Sequence, residues 1–399
     1  MVHSSFNQLS RLTKAASIAL PLACLAAPGQ AADLPPRSAQ FPARVEQLKA
    51  HIERVDRQAE QLRAPEFPAG KDWFNSPPLT FGKQLAGKIT VLDFWTYCCI
   101  NCIHILPDLA ELEERYAGYP VAFVGVHSAK FDNEKVSENI RDAVLRYEIA
   151  HPVVNDDTMH MWQRIGVRSW PSMAVVGPKG NLMLMVSGEG NKELIDACIT
   201  AALALYPKDI FRHDPIPMSP EKDKLRIDSP LRYPGKLAID TEGGRLFISD
   251  SNHHRIVVTD LDGRFIDTIG SGRIGLADGG YDEAQFFRLQ GLAYHDGSLY
   301  VADAENHALR VVDTKARRVT TLAGNGTQGR DYNGGRSGRE QPISTPWDVF
   351  VESGQVFIAM AGTHQIWSYD LGKKIAKNYS GNGSEQNLNR ADRLLAAWA

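Results

Sequence analysis

The chain contains 399 residues, of which 43% are hydrophobic and 23% charged, so its composition is that of a folded protein with two or three domains. These fractions exclude a mainly disordered chain and a polytopic membrane protein. The formal net charge of -3 gives no electrostatic reason to expect nucleic acid as a partner. Five cysteines are too few for a disulfide-built scaffold, and three of them lie between residues 98 and 102.

Residues 1–31 have the pattern of a secretory signal peptide. Arg11 and Lys14 precede a short apolar run, and small residues lie at the -3 and -1 positions of a cleavage site after Ala31. The run is shorter than the roughly 20 residues of a membrane span. We therefore expect an exported, periplasmic protein without a stable membrane anchor after cleavage. The alternatives are a lipoprotein cysteine at Cys24 and a frayed N-terminal helix.

Residues 32–69 are predicted to form a Pro-rich tether and one amphipathic helix. Apolar residues recur at intervals of three and four from Val45 to Leu62, which gives one apolar stripe, and Pro65 ends it. We expect this helix to pack within the molecule, with a short coiled coil as the alternative.

Residues 70–206 alternate strand and helix patterns, which predicts a three-layer α/β domain. The expected strands are 89–95, 121–126, 173–176 and 182–186, the last two paired around a turn, and the expected helices are 106–116, 136–149 and 193–206. Cys198 lies in the last helix and is expected to be a core residue. Residues 207–229 carry prolines and many charges and are predicted to be a linker.

Residues 230–399 contain three copies of a repeat. The strand patterns at 246–250, 299–303 and 356–360 align, and a histidine follows each four residues later: His254, His307 and His364. We expect these histidines to make a shared structural bond within each blade. Short strands at a regular period with Gly-rich turns predict an all-β propeller segment. Since propellers close with about four to eight blades, we expect either a truncated form of a longer protein or open edges covered by a partner or second copy.

Cys99 and Cys102 form a Cys-x-x-Cys motif at a predicted strand-to-helix junction. This spacing places the first sulfur at the helix N-terminus, where backbone N–H groups and the helix dipole favour the thiolate. Such positions lower a cysteine pKa from about 8.5 to about 3.5–7.5. We therefore expect Cys99 to attack as a thiolate and Cys102 to resolve the mixed disulfide. A structural disulfide or a pair of inert thiols is the alternative.

The segments 93–102 and 166–172, with Pro107 between them, resemble the active-site and cis-proline segments of the thioredoxin family. The resemblance implies that Asp93 is the buried carboxylate that helps Cys102 lose its proton. It also implies that Pro171 is cis beside the sulfurs, and that Pro107 kinks the active-site helix.

Cys98 stands where thioredoxins usually have Trp, and Asn101 where they usually have Pro. Cys98 and, from the cis-proline segment, Trp170 are the candidate substrate contacts. Cys98 is expected to be a buried or half-buried neighbour rather than an active thiol. Trp170 either contacts substrate or packs over the dithiol.

The strings at 96–104, 125–131 and 143–147, joined to the repeats, resemble the NHL repeat-containing protein 2 family from about Trp73 to about Arg390. The resemblance implies a thioredoxin-like domain packed on a β-propeller with more blades than this chain supplies. With the signal pattern, it predicts a bacterial, exported and C-terminally truncated member.

These observations predict a thiol-disulfide oxidoreductase that acts on protein thiols and disulfides without a cofactor or metal, with the repeats as a protein-binding platform. A redox-silent binding scaffold is the first alternative. The second is Cu(I) binding, since Cys98, Cys102 and one imidazole would suit that soft ion. The candidate histidines are His104, His127, His151 and His160.

Overall fold

One mixed six-stranded sheet is followed along the chain by three antiparallel sheets. The computed structural model describes residues 34–58, 62–224 and 229–384, so the predicted signal peptide at 1–31 lies outside the described residues. All elements described below belong to the unit Ser38–Ala399. Among the residues described, no helix has both the length and the apolar content that crossing a membrane requires.

The first part of the chain has the expected α/β organisation. Its helices are α1 (Phe41–Asp56), α2 (Ile100–His104), α3 (Leu106–Arg115), α4 (Ser137–Arg146), α5 (His160–Ile165), α6 (Lys192–Leu205) and α7 (Glu221–Lys224), and two 3-10 turns span Asp132–Lys135 and Lys208–Ile210. Its strands are β1 (Trp73–Phe74), β2 (Ile89–Trp95), β3 (Val121–His127), β4 (Val153–Asn155), β5 (Ser172–Val176) and β6 (Leu182–Ser187). They pair in the order β1-β4-β3-β2-β5-β6, with β2, β3 and β4 parallel.

Strand β2 lies at the centre of this sheet, and all seven of its residues are buried because both faces of the sheet are covered. Val91 and Asp93 face α3 and α6, while Leu92 and Phe94 belong to the apolar cluster on the other face. The alternation therefore places Asp93 under the helix that begins at the end of β2.

Helix α1 packs inside the molecule through its apolar stripe, which buries Val45, Leu48, Ile52 and Val55 against α6 and β6. The expectation that the helix runs to Leu62 was wrong, because it ends at Asp56. Beyond the gap in the description, Leu62 accepts a backbone hydrogen bond from Leu182 at the start of β6, and Arg63 forms an antiparallel bridge with Asn181.

The segment predicted as a linker folds back against the α/β domain. The Lys88 ammonium donates to the carbonyls of Arg212 and Asp214 at 2.7 and 2.6 Å. Further along, the Glu221 carboxylate accepts from Arg141 of α4 at 3.1 Å. These bonds set the path by which the chain enters the three antiparallel sheets.

The three repeats form three antiparallel sheets, which confirms the predicted fold class. The first contains β7 (Pro234–Asp240), β8 (Arg245–Asp250), β9 (Arg255–Asp260) and β10 (Phe265–Ile269). The second contains β11 (Gly279–Gly280), β12 (Leu292–His295), β13 (Ser298–Asp303), β14 (Ala308–Asp313) and β15 (Arg318–Ala323). The third contains β16 (Gly334–Ser337), β17 (Pro346–Glu352), β18 (Gln355–Met360), β19 (Gln365–Asp370) and β20 (Ile375–Ser380), and 3-10 turns span Ser251–His253, Gly338–Glu340 and Ala361–Thr363.

Two of the three repeat histidines, His254 and His307, bond residues of the following repeat, not of their own blade as expected. Nδ1 of His254 accepts the backbone N–H of Arg288 at 3.2 Å, and Nδ1 of His307 accepts that of Thr345 at 3.1 Å. Arg288 and Thr345 each lie in the segment that leads into the next sheet. Both histidines have left-handed backbone conformations in the turn after their strand, and the residues that they bond come 34 and 38 positions later, which a local repeat pattern does not show.

Candidate active site

Cys99 and Cys102 occupy the first turn of the active-site helix. Cys99 is the N-cap of α2, and its carbonyl accepts the backbone N–H groups of Cys102 at 3.0 Å and Ile103 at 3.2 Å. Cys99 is half-buried and lines a cleft, whereas Cys102 is fully buried one turn below. Both are thiols in this structure. Burial, a hydrogen bond with the Cys99 sulfur and the nearby Asp93 carboxylate all raise the pKa of the Cys102 thiol.

The active-site helix is interrupted just beyond the motif. Helix α2 ends at His104, and α3 begins at Leu106 with Pro107 in its first turn. Pro107 has no N–H to donate to the preceding turn, so the ladder breaks there, as the resemblance implied. The interruption leaves the two cysteines on a short, separately oriented first segment.

Asp93 lies at the buried end of the site, with 2% of its surface exposed. Among the residues described, neither carboxylate oxygen has a hydrogen-bond partner. Burial raises the pKa of Asp93 to about 7, with an opposing contribution from His151 and a reinforcing one from Glu113. A carboxyl group with this pKa can both take up and release a proton near neutral pH.

Cys98 is exposed, so the expectation of a buried or half-buried side chain was wrong. Its thiol is hydrogen-bonded to the Glu134 carboxylate, and its backbone N–H donates to the same carboxylate at 3.1 Å. Although the residue is exposed overall, partial desolvation of its sulfur within the loop and this carboxylate together raise the pKa of Cys98 to about 12. This pKa favours the thiol form of Cys98 near neutral pH.

Glu134 organises the whole loop that carries the motif. It is fully buried and also accepts from the Thr96 hydroxyl at 2.6 Å and from the Lys130 and Phe131 backbone N–H groups at 2.9 Å. Hydrogen bonds to the charged form outweigh burial and lower the pKa of this carboxyl group. One carboxylate therefore ties the loop after β2 to the loop after β3.

The Trp170–Pro171 peptide bond is cis, as the resemblance implied. Trp170 is half-buried, its indole N–H donates to the Ser128 carbonyl at 2.9 Å, and its ring packs on Trp162 with centroids 4.2 Å apart. It also joins the apolar cluster that contains Cys102. Trp170 therefore packs beside the dithiol, and a contact between Trp170 and a substrate stays a prediction.

A cleft of about 840 Å³ opens in front of Cys99, between the α/β domain and the antiparallel sheets. The α/β domain contributes Tyr97, Cys98, Lys130, Arg146 and Tyr147, and the sheets contribute Tyr233, Trp347 and His364. Its volume falls within the range of about 300–1,000 Å³ that is usual for small-ligand sites. Any group that reaches Cys99 through this cleft meets residues from both parts of the chain.

His104, the last residue of α2, connects the active-site helix to the sheets. Its Nδ1 lies 2.7 Å from Glu189 Oε1, and its Nε2 lies 2.6 Å from Thr345 Oγ1, just before β17. Thr345 in turn bonds His307, whose pKa burial and the neighbouring His104 lower to about 4. The orientation of the sheets is therefore coupled to the helix that holds the cysteines.

Three of the four histidines considered for copper are engaged elsewhere. His104 binds Glu189 and Thr345, His151 binds Glu113 at 2.6 Å, and His127 is buried between Trp95 and Tyr97. Across residues 34–58, 62–224 and 229–384, no three His, Cys, Asp or Glu side chains cluster as a metal site would. Cys198 is a core residue of α6, as expected, and burial raises its pKa to about 12.

The sequence analysis did not find Glu134, Glu113 or the structural partners of His104 and His151. No local motif marks Glu134, which meets the loop of Thr96 across 38 residues of chain. The histidines were noticed only as metal ligands, and their partners lie in elements that no spacing connects to them.

The fold and the dithiol define a thioredoxin-like domain joined to NHL-type sheets. Residues 87–182 match the thioredoxin-like family model, and residues 231–258 match that of the NHL repeat.

Comparison with individual proteins extends this assignment. The chain is 45% identical to NHL repeat-containing protein 2 of Bos taurus, covering 86% of this chain and 50% of the relative. It is 51% identical to protein SUPPRESSOR OF QUENCHING 1, chloroplastic, of Arabidopsis thaliana, covering 84% of this chain and 32% of that protein. The chain is thus homologous to NHL repeat-containing protein 2 over most of its own length. It spans half of the cattle protein and about a third of the Arabidopsis protein. The predicted resemblance is confirmed.

The α/β domain also has relatives without NHL repeats. The thiol-disulfide oxidoreductase YkuV of Bacillus subtilis is 21% identical over 35% of this chain and 93% of that protein. The thioredoxin-like domain is therefore related to thiol-disulfide oxidoreductases.

Proposed function

We propose that this protein is an exported thiol-disulfide oxidoreductase that works by dithiol–disulfide exchange. The observation that carries the proposal is the arrangement of two sulfurs on one helical turn, Cys99 facing a cleft and Cys102 buried in hydrogen-bond contact with it. Backbone N–H groups at the start of α2 favour negative charge on the outer sulfur. A more exposed attacking sulfur above a buried resolving one is the arrangement that exchange requires.

The exchange proceeds in two balanced steps. The Cys99 thiolate attacks one sulfur of a substrate disulfide, so a Cys99–substrate disulfide forms and the other substrate sulfur leaves as a thiolate. Cys102 then loses its proton to Asp93 and attacks the Cys99 sulfur, which releases the second substrate thiolate and leaves a Cys99–Cys102 disulfide. The substrate gains two electrons and the protein loses two, and a dithiol reverses the reaction.

Cys98 does not compete with Cys99 in the first step. Its thiol is held by Glu134, and thiolate rather than thiol is the nucleophile. The substrates are protein thiols and disulfides, and the NHL-type sheets act as a protein-binding platform. Their residues Tyr233, Trp347 and His364 line the cleft, which supports a role in positioning the substrate segment that reaches Cys99.

Trapping of the mixed disulfide tests this proposal. The full chain is reduced, freed of reductant and mixed with a small aromatic disulfide whose leaving thiolate absorbs visible light. The wild-type protein releases both aromatic thiolates, whereas Cys102→Ser releases one and keeps the other as an adduct on Cys99, detected by mass spectrometry. Cys99→Ser forms no adduct at this helix, and Cys98→Ser, the adjacent-cysteine control, behaves as the wild type.

A different pattern would favour the scaffold interpretation. If Cys99 reacts no faster than an ordinary thiol below pH 8 and Cys102→Ser retains no adduct, the domain is redox-silent and the sheets alone carry the function. Stoichiometric copper after anaerobic reconstitution, lost on mutation of Cys98, would instead support Cu(I) binding.

Export rests on the signal pattern of residues 1–31. Expression of the full chain in a bacterium, followed by N-terminal sequencing of the periplasmic fraction, is expected to give a mature protein that begins at Ala32. An uncleaved chain in the cytoplasm would contradict export, and a mature chain that begins at Cys24 would indicate a lipoprotein.

A further inference from the structure

A buried histidine connects the interior of the site to a carboxylate at the protein surface. His151 is 6% exposed, and its Nδ1 lies 2.6 Å from Oε1 of Glu113 on α3. The Glu113 side chain is 24% exposed, so this pair reaches solvent at its outer end. Burial lowers the pKa of His151, but the Glu113 carboxylate outweighs it and the net shift is upward.

The other side of the imidazole faces the Asp93 side of β2. Asp93 pairs with Gly125 of β3 in parallel register, so their side-chain positions lie on the same face of the sheet. A Cβ on Gly125 would lie 3.0 Å from Trp95 Nε1 and 3.3 Å from His151 Nε2. The same Cβ would lie 3.0 Å from Val153 Cγ2, so the absence of a side chain at Gly125 is what lets Trp95 and His151 pack against the backbone beside Asp93.

Three polar groups in this region have no hydrogen-bond partner among the described residues: the Asp93 carboxyl oxygens, Trp95 Nε1 and His151 Nε2. Each belongs to a side chain that is more than nine-tenths buried. Buried polar atoms are normally satisfied by protein or by ordered water. Two of these groups, the Asp93 carboxyl and His151 Nε2, can exchange a proton, and the His151 charge acts directly on the pKa of Asp93.

We propose that His151 and Glu113 form the path by which Asp93 exchanges protons with solvent during the redox cycle. The inference rests on the proposed dithiol exchange and extends it to residues that contact neither sulfur. His151 is a positioning and relay residue, because it acts on Cys102 only through Asp93.

The proton balance follows the second step of exchange. The Cys102 thiol gives its proton to Asp93 and attacks the Cys99 sulfur as a thiolate. The Asp93 carboxyl group then passes the proton to His151 Nε2. The imidazole releases the proton on Nδ1 to Glu113, which passes it to solvent. Reduction runs the path in reverse, so no proton is gained or lost over a cycle.

Other titratable groups face this path. Cys99 and Cys102 of α2 lie above Asp93, and Glu113 of α3 lies beyond His151. His127, two residues after Gly125 on β3, packs against Trp95, and burial lowers its pKa to about 4. His127 is therefore neutral in the range where exchange is measured, and Glu134 is engaged by the loop around Cys98.

Stopped-flow exchange with the small aromatic disulfide separates the two steps in full-length protein carrying Cys98→Ser. The first thiolate is released when Cys99 attacks, and the second when Cys102 resolves the mixed disulfide. His151→Gln is expected to slow the second phase by at least about tenfold near pH 7, since proton transfer contributes about 10²–10⁴-fold where it operates directly. The first phase keeps its rate, and the slowed phase recovers as pH rises because hydroxide removes the proton instead.

Further variants separate relay from structure. Glu113→Gln keeps a hydrogen-bonding partner for His151 but loses the charge, and is expected to slow the second phase in the same direction. Imidazole added to His151→Ala is expected to restore part of that rate. His213→Gln, an exposed histidine away from the site, is the control and changes neither phase.

The outcomes distinguish this inference from the proposed function. If the parent protein shows no second phase, dithiol exchange itself fails and the relay fails with it. If the parent exchanges normally and both the His151 and Glu113 variants keep its second-phase rate from pH 5 to 9, only the relay is overturned. Equal slowing of both phases would also overturn it, because that result indicates general damage to the site.

Discussion

The buried carboxyl group of Asp93 provides the sharpest quantitative prediction. In Asp93→Asn, a group that ionises becomes a neutral group of nearly the same shape. The wild-type carboxyl is almost fully buried, has no hydrogen-bond partner among the described residues, and has a pKa raised from 3.8 to about 7. Because the folded-state pKa of Asp93 lies above its unfolded-state pKa, the contribution of Asp93 to the stability of the wild type is fully present at low pH and is lost as the pH rises from about 4 through 7. The variant does not suffer this loss.

The magnitude follows from the size of the shift. About three pKa units at 1.36 kcal/mol each give an ionisation penalty of about 4 kcal/mol at pH 8, but only about 1–2 kcal/mol at pH 5. Any pH-independent cost of burying the amide cancels when the two pH values are compared. The stability of Asp93→Asn relative to wild type should therefore increase by about 2–3 kcal/mol between pH 5 and pH 8.

Urea unfolding at the two pH values, followed by tryptophan fluorescence and by hydrogen exchange of β2, measures this difference. Asp209→Asn removes an exposed aspartate beyond α6 and is the matched control, expected to stay within about 0.5 kcal/mol of wild type at both pH values. A stability gap between Asp93→Asn and wild type that is the same at pH 5 and pH 8 would refute the reasoning, because Asp93 would then titrate alike in the folded and unfolded states.

Two further predictions concern Glu134 and the repeat histidines. Desolvation and the Glu134 carboxylate together raise the pKa of Cys98 to about 12, so Glu134→Gln removes part of that shift and should make Cys98 more reactive toward iodoacetamide at pH 8. Peptide mass spectrometry after timed labelling measures this, with Cys198 as the buried reference, and unchanged Cys98 labelling would contradict the assignment. Burial lowers the pKa of His307 to about 4, so this residue contributes stability above about pH 6.5 and loses that contribution as the pH falls toward 4. The melting temperature of His307→Ala should therefore fall less steeply with decreasing pH than that of the wild type. Parallel curves of melting temperature against pH would show that the ring does not titrate on unfolding.

Much of the architecture could be predicted from the chain because it is encoded locally. The stripe from Val45 identified α1, alternating patterns identified β2 and β3, and the repeated strands identified three antiparallel sheets. The end of α1 was misplaced because the apolar spacing continues past Asp56 and does not show that Arg63 forms an antiparallel bridge beside β6. The repeat histidines were assigned to single blades because periodicity shows that a position recurs, but not which neighbour it bonds.

In the active site, too, local sequence predicts some features and long-range contacts decide others. The spacing of Cys99 and Cys102 guarantees two sulfurs on one turn, since helix geometry alone sets their separation.

The chemistry around these sulfurs depends on residues that only folding brings together. Glu134 reaches Thr96 across 38 residues, and His104 reaches Thr345 across 241. His151 meets Glu113 across 38 residues, between elements whose packing no local pattern describes. The chain by itself therefore determined which atoms can react, because short-range spacing is set by backbone geometry. Tertiary structure alone decided that Glu134 raises the pKa of Cys98, that Asp93 is buried, and which residues line the cleft. The reason is that burial and charge pairing depend on contacts between distant segments.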